Sequence, residues 1–164
     1  MNPIKIETYK EQHKNQIIEL ILKIQTEEFT IPITLADQPD LLEIPSFYIK
    51  NNGNFWVALE NEKVVGTIAL VDIGNSQCAL RKMFVAKEHR GKDKQIAKLL
   101  LATLLEQSKI NKVNEIYLGT ISVFYAAHRF YEKNGFLEIP KNDLPKKFPV
   151  MPKDNKFYVY RFEE

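Results

Sequence analysis

This sequence lacks several features that would place it outside ordinary globular proteins. Its 164 residues include one cysteine, Cys78, so an intramolecular disulfide is excluded and no zinc-site spacing is present. No stretch approaches 18 consecutive apolar residues, and the N-terminal residues do not resemble a signal peptide. The formal net charge of +2 gives little electrostatic support for nucleic-acid binding. We therefore expect a cytoplasmic protein without a nucleic-acid or membrane partner.

The composition is that of a folded domain, with 45% hydrophobic and 27% charged residues. The length suits one domain spanning residues 1–164. Apolar periodicity predicts the order β-α-(α)-β-β-β-α-β-α-β-β, which indicates an α/β fold. The predicted strands are 3–7, 55–59, 64–71, one ending at Val85, 116–118, 136–139 and 157–162. The predicted helices run to about Gln25 from a capping box at Thr8 and Glu11, over 40–43, from about Lys94, and over 126–133 to a stop at Asn134-Gly135.

One stretch, residues 80–105, combines a strand, a basic turn and a helix. The apolar strand Met83-Phe84-Val85 meets the turn His89-Arg90-Gly91-Lys92, which opens directly into a long apolar helix. Free backbone N–H groups, the helix dipole and fixed cations then converge on one point. This arrangement predicts a site for a phosphate-bearing ligand.

Two segments of the chain together resemble the GNAT N-acetyltransferase superfamily. Val85-x4-Arg90-Gly91-Lys92, followed by an apolar helix, is similar to the family's acetyl-CoA pyrophosphate loop. Ala127-x3-Tyr131-Glu132-Lys133-x-Gly135-Phe136 is similar to its C-terminal motif. The resemblance implies a mixed, mostly antiparallel twisted sheet flanked by helices. It also implies direct transfer of an acetyl group from acetyl-CoA to the amine of a small molecule or peptide. A homodimer is left open.

The resemblance also implies which residues bind the cofactor. The strand at residues 80–85 is expected to splay from its neighbour and to bond the pantetheine amides through its backbone. The expected cofactor-binding residues are Met83, Phe84, Val85, Arg90, Gly91, Lys92, Asp93, Lys94, Gln95, Ile96, Ala97, Phe124 and Ala127.

Three residues depart from the family pattern. Gln95 stands where glycine is expected, Asp93 adds a negative charge near an anionic ligand, and Phe124 replaces a frequent asparagine. These departures favour the alternative of a CoA-binding or regulatory module whose catalytic activity has decayed. Replacing Gln95 with glycine is expected to tighten CoA binding and to cost up to about 1 kcal/mol of helix stability.

Tyr131 is the predicted general acid for the departing thiolate. Its reference pKa near 10 lies about 1.5 units above that of a thiol, a difference that positioning can absorb. His128, three residues earlier on the same helix, is the predicted catalytic partner because of its intrinsic pKa. Glu27, Glu28 and Asp72 are the other candidates for the general base.

No metal site is predicted. His128 and Glu132 are four residues apart on a helix, but no third ligand accompanies them. The irregular segments 26–53 and 140–154 flank the expected cleft, so we expect them to shape the acceptor pocket.

Overall fold

The computed structural model describes residues 3–91 and 95–163 of the chain. Within them the strands form one seven-stranded sheet in the order β1-β2-β3-β4-β5-β7-β6. The strands are β1 (Ile4–Thr8), β2 (Asn54–Glu60), β3 (Lys63–Gly74), β4 (Gln77–Val85), β5 (Glu115–Thr120), β6 (Leu137–Ile139) and β7 (Lys156–Arg161). The helices are α1 (Lys14–Leu22), α2 (Ile44–Tyr48), α3 (Ile96–Ile110) and α4 (Tyr125–Lys133).

The sheet is mixed and mostly antiparallel, which confirms the predicted fold class. Two tight turns build its centre, since Asn61–Glu62 and Asn75–Ser76 adopt the left-handed backbone that two-residue hairpins require. In the described sheet only β4 and β5 pair in parallel. The chain between them must cross over, and α3 makes that crossover.

Strand alternation sends side chains of β2 to both faces of the sheet. Phe55 and Val57 join the core under α1 and α2, whereas Trp56 and Ala58 join the core under α3 and α4. At Gly66 of β3 an added Cβ would lie 3.1 Å from side-chain atoms of both Ile96 and Leu100. This close approach fixes the first turns of α3 against the sheet beside the end of β4.

Two local predictions at the first helix differ from the structure, and one at the end of α4 is confirmed. The capping box at Thr8 and Glu11 is wrong, because Thr8 ends β1 and the Lys10 N–H donates to His13 Nδ1 at 3.1 Å. A 3₁₀ turn, Glu11–His13, therefore precedes α1. The first helix also runs past Gln25, since a π-helical turn, Lys23–Glu28, continues it. The predicted stop after α4 is confirmed by Gly135, with φ of 93°.

The helical segment near residue 40 divides into two parts. A 3₁₀ turn, Pro39–Leu42, precedes α2, and Pro45 lies in the first turn of α2. Proline suits a helix start because its missing N–H would have no partner there.

Candidate active site

A cavity opens where β4 and β5 separate. The two strands are described in full and pair at only three positions, Gln77–Ala79 against residues 115–117, before they diverge. This is the splay that the family resemblance implied. The gap holds a cavity of about 490 Å³. Its walls are residues 80–84 of β4, 118–121 after the divergence of β5, one face of α4, and the segments 31–38 and 148–154.

A β-bulge shapes the β4 wall of the cavity. Arg81 pairs with Ala69 and Phe84 with Thr67, so Ile68 faces two residues, Lys82 and Met83. Lys82 has φ of 54°, and its carbonyl accepts a 2.7 Å hydrogen bond from the Thr67 hydroxyl. The extra residue locally bends the strand and changes where its side chains point.

Lys82 is the centre of a buried polar network that connects β4 to the segment before α2. Its ammonium donates to the Gln38 side chain and lies 3.7 Å from Asp40 Oδ2, with 7% of the side chain exposed. The Tyr48 hydroxyl donates to the same Asp40 oxygen at 2.5 Å. Gln38 and Gln25 exchange amide hydrogen bonds of 2.8 and 3.1 Å. Burial lowers the pKa of Lys82 to about 8, although Asp40 opposes the shift.

Arg81 also lines the cavity, but unlike Lys82 it is held by aromatic rings and not by a carboxylate. Its guanidinium lies over the Phe47 ring, 5.4 Å from the centroid, and 6.0 Å from that of Tyr48. Its Nη2 donates to Met151 Sδ at 3.4 Å. Among the residues that the structure describes, Arg81 forms no ion pair with a carboxylate.

Asp154 provides a carboxylate on the opposite wall. It is seated over Gly119 of β5, where an added Cβ would lie only 2.5 Å from Asp154 Oδ2. Burial raises the pKa of Asp154, while Arg81 and Lys82 oppose that shift. Sequence analysis missed Asp154, although a glycine inside a buried strand often marks such a close approach.

Tyr131 lies on the cavity wall as the general-acid assignment requires. It is 5% exposed and packs against Phe136 and Tyr158, with ring centroids 5.4 and 6.0 Å away. Burial raises its pKa well above the ordinary value for tyrosine. The phenol therefore remains protonated at neutral pH, and its role as proton donor stays a prediction.

His128 is placed less favourably for catalysis. Its Nε2 lies 3.0 Å from the Ile121 carbonyl oxygen, and its ring packs against Tyr125 and Tyr158. It is buried, and it is absent from the cavity wall that the described residues form. The geometry gives His128 a packing role and does not support it as the general base.

The other predicted bases also point away from the cavity. Asp72 accepts hydrogen bonds from the Asn52 and Gly74 N–H groups, at 3.1 and 2.8 Å, and so holds a turn together. Glu28 pairs with Arg90, and Glu27 is exposed. None of these three lines the cavity as the structure describes it.

The predicted phosphate-binding turn holds its arginine in an ion pair. Both terminal nitrogens of Arg90 donate to the Glu28 carboxylate, with Nη2 2.8 Å from Oε1, and Nε donates to the Val85 carbonyl at 2.9 Å. Arg90, which was expected to face a phosphate, is therefore already paired with a carboxylate. Lys92, Asp93 and Lys94 lie outside the described residues.

Gln95 precedes α3 in a left-handed conformation, with φ of 48° and ψ of 38°. Glycine adopts this conformation without the steric cost of a Cβ. The left-handed backbone therefore favours a gain in stability on replacing Gln95 with glycine, opposite to the loss expected from the sequence, since Gln95 lies outside the helical turns. Gly91, with φ of 134°, also lies in a region that favours glycine.

The remaining predicted cofactor residues divide between cavity and core. Met83, Phe84, Phe124 and Ala127 line the cavity. Val85, Ile96 and Ala97 pack in the core under α3. The Phe124 ring packs edge-on against Phe29, with centroids 4.6 Å apart. An aromatic contact therefore occupies the position of the family's asparagine.

No group of three or more potential metal ligands forms among residues 3–91 and 95–163. In the same part of the chain, none of the helices has the length and apolar character needed to cross a bilayer.

Comparison with known proteins identifies the family. The model of the acetyltransferase (GNAT) domain matches residues 51–138. An acetyltransferase of the GNAT family from Staphylococcus aureus is 43% identical with a TM-score of 0.94, over 98% of this chain and 99% of that one. The chain belongs to the GNAT family of acetyltransferases. The resemblance recognised in the two sequence motifs is thereby confirmed.

Two further relatives define how far the likeness extends. An acetyltransferase from Streptococcus agalactiae is 31% identical to this GNAT chain with a TM-score of 0.94, over 99% of this chain and 100% of that one. The N-acetylaspartate synthetase of Xenopus tropicalis is 40% identical over 108 residues, which are 63% of this chain and 38% of that protein. This chain spans less than half the length of the curated relatives that it matches.

Proposed function

We propose that this GNAT protein transfers an acetyl group from acetyl-CoA directly to an acceptor amine. The observation that carries the proposal is the cavity between the diverging strands β4 and β5. There the backbone of Met83 and Phe84 is free of β5 and can bond an extended pantetheine arm as an added strand would. The first turn of α3 has backbone N–H groups that can bind the pyrophosphate.

Acyl transfer needs a neutral amine and a protonated leaving group. The amine nitrogen attacks the thioester carbonyl carbon, the C–N bond forms, and the C–S bond then breaks. Tyr131 gives its proton to the departing thiolate and recovers one from the nitrogen of the new amide. Lys82, whose pKa is about 8, is neutral in a useful fraction of molecules near neutral pH and accepts a proton from the acceptor ammonium.

Release of free thiol from acetyl-CoA across a panel of amines tests the proposed function. Aspartate belongs in the panel, because the vertebrate relatives are named N-acetylaspartate synthetases. Thiol release that depends on an amine, with matching acetylated product by mass spectrometry, supports the proposal. Absence of acetylated product from every amine would contradict it.

Tyr131→Phe tests the proton donor. The substitution keeps the ring packing and removes only the hydroxyl, so kcat should fall about 100-fold or more with little change in CoA affinity. Tyr117→Phe, a hydroxyl removed outside the cavity, is the matched control. Unchanged single-turnover rates in Tyr131→Phe would make Tyr131 a packing residue.

A CoA-binding module without catalytic activity is the second candidate. It is favoured by the side chain of Gln95 in a left-handed turn and by the engagement of Arg90 with Glu28. This candidate predicts calorimetric binding of CoA with no thiol release from acetyl-CoA for any amine. Both candidates are compatible with the predictions that residues 1–164 form one domain and that the protein can form a homodimer.

A further inference from the structure

We propose that the acceptor is a small amine that carries a carboxylate, and that Arg81 binds this carboxylate. The inference rests on the proposed acetyl transfer and names the class of its acceptor. Its basis is the set of hydrogen-bond and ion-pair partners of the Arg81 guanidinium, compared with those of other cations in the protein.

Arg81 has more hydrogen-bond donors than partners. A guanidinium presents five N–H donors in a planar fork. The described residues supply one acceptor, the thioether sulfur of Met151, which is a weak one. The remaining donors border the cavity, because Arg81 is part of its lining and is only partly exposed.

Three other cations differ because each has its own carboxylate, whereas Lys153, which also lines the cavity, is exposed and forms no ion pair among the described residues. Lys82 lies 3.7 Å from Asp40, Arg90 holds Glu28 in a two-pronged pair, and Lys156 lies 2.9 Å from Glu138. Arg81 is held instead by aromatic faces, those of Phe47 and Tyr48. Stacking fixes the orientation of the fork without using its donors, which prepares it for a planar anion.

The charges around Arg81 favour a carboxylate over a phosphate. A carboxylate matches the fork with two parallel hydrogen bonds. Asp154 also lines the cavity and interacts electrostatically with Arg81. A phosphate dianion would be repelled by Asp154 more strongly than a single carboxylate. The ammonium of an amino acid, by contrast, would be attracted to Asp154.

Matched substrate pairs test the inference. Amino acids and their amides differ in the carboxylate, and the lower amine pKa of the amide is allowed for by comparing them at equal concentrations of neutral amine. Aspartate with asparagine extends the comparison to the side chain. We expect kcat/KM of the wild-type protein to be about 10–100-fold higher for the acid, the usual range for a hydrogen bond to a charged group. Arg81→Gln should lower kcat/KM for the acid far more than for the amide and so remove this preference.

Two variants separate recognition from general effects of charge and folding. Lys146→Gln removes one positive charge from an exposed position outside the cavity, and it should retain the preference for acids. Arg81→Lys keeps the charge without the fork and should recover part of the preference. Thermal midpoints of all variants should be compared, since Arg81 also packs on two aromatic rings.

Binding provides a readout that does not depend on turnover. Calorimetry with the acid and the amide, in the presence of CoA, should detect tighter binding of the acid by the wild-type protein and no difference in Arg81→Gln. Equal treatment of acids and amides by the wild-type protein would overturn the inference and leave the proposed acetyl transfer intact. Equal losses for both substrates in Arg81→Gln, without a change in thermal midpoint, would also overturn it. Selective binding of the acid without acetylation of any amine would instead contradict the proposed function alone.

Discussion

The bulge inside β4 and the turn that follows β4 are built in different ways. At the bulge, Lys82, Asp40 and Gln38 form a buried network in which each group has a partner. After the strand, the turn before α3 contains the left-handed Gln95 and an arginine engaged by Glu28. The described residues of the family motif are thus less favourably arranged than those at the bulge. Motif residues therefore do not indicate where the site is most firmly organised.

The largest expected effect follows from removing the cation of the buried network. Lys82→Met should lower the free energy of unfolding by about 3–5 kcal/mol, because Asp40 would remain buried without its cation. Chemical denaturation measures the loss. Adding Asp40→Asn should restore part of it. A loss below about 1 kcal/mol in Lys82→Met would mean that the network contributes little to the stability of the fold.

The engagement of Arg90 gives the next largest effect. Glu28→Gln should release Arg90 toward the cofactor and tighten CoA binding by about 3–10-fold, within the range for one charge-assisted contact. Calorimetry with CoA measures the change, and Glu27→Gln is the matched control because Glu27 is exposed and adjacent. Weaker CoA binding in Glu28→Gln would show that the ion pair holds the turn in its binding conformation.

The low pKa of Lys82 predicts a rise of stability with pH. Between about pH 8 and the ordinary lysine pKa of 10.5, the unfolded state binds more protons than the folded state, so the free energy of unfolding increases. The rise should be about 1 kcal/mol from pH 7.5 to 9. Above pH 9 the unfolded chain ionises Cys78, whose pKa burial raises to about 12, and this opposes the rise. Denaturation of Lys82→Met at the same pH values should lack the rise; its persistence would assign the rise to another group.

The smallest expected effect concerns the strained turn. Gln95→Gly should increase the free energy of unfolding by about 1 kcal/mol, because glycine removes the steric cost of the left-handed backbone. It should also tighten CoA binding. Gln95→Ala keeps the Cβ and should give neither gain. Weaker CoA binding in the glycine variant would instead indicate a productive contact between the Gln95 side chain and the cofactor.

Local patterns predicted most of the fold. The element order, the central hairpins and the stop at Gly135 depend on neighbours in sequence, and all are present. The divergence of β4 from β5 followed from the family resemblance. The cap at Thr8 failed because the strand pairing of β1 takes that residue into the sheet. Here a tertiary contact overrides a local preference.

The part of the cavity around the β4 bulge was not predictable in the same way. Asp40 and Gln38 lie in a proline-broken segment without periodicity, so their contact with Lys82 depends entirely on the tertiary fold. One signal was available in the sequence. Arg81 and Lys82 interrupt the apolar run between Leu80 and Met83, and two adjacent cations inside a central strand require a reason.

The bulge at Lys82 changes which face of the sheet each side chain of β4 points to. In a regular strand, residues an odd number of positions apart face opposite sides of the sheet. Leu80 and Val85 are five positions apart, yet both enter the core under α3, while Phe84 packs toward the core under α1. The extra residue resets the alternation and lets both ends of the strand anchor in one core. A single-residue deletion here would turn one of these anchors to the wrong face.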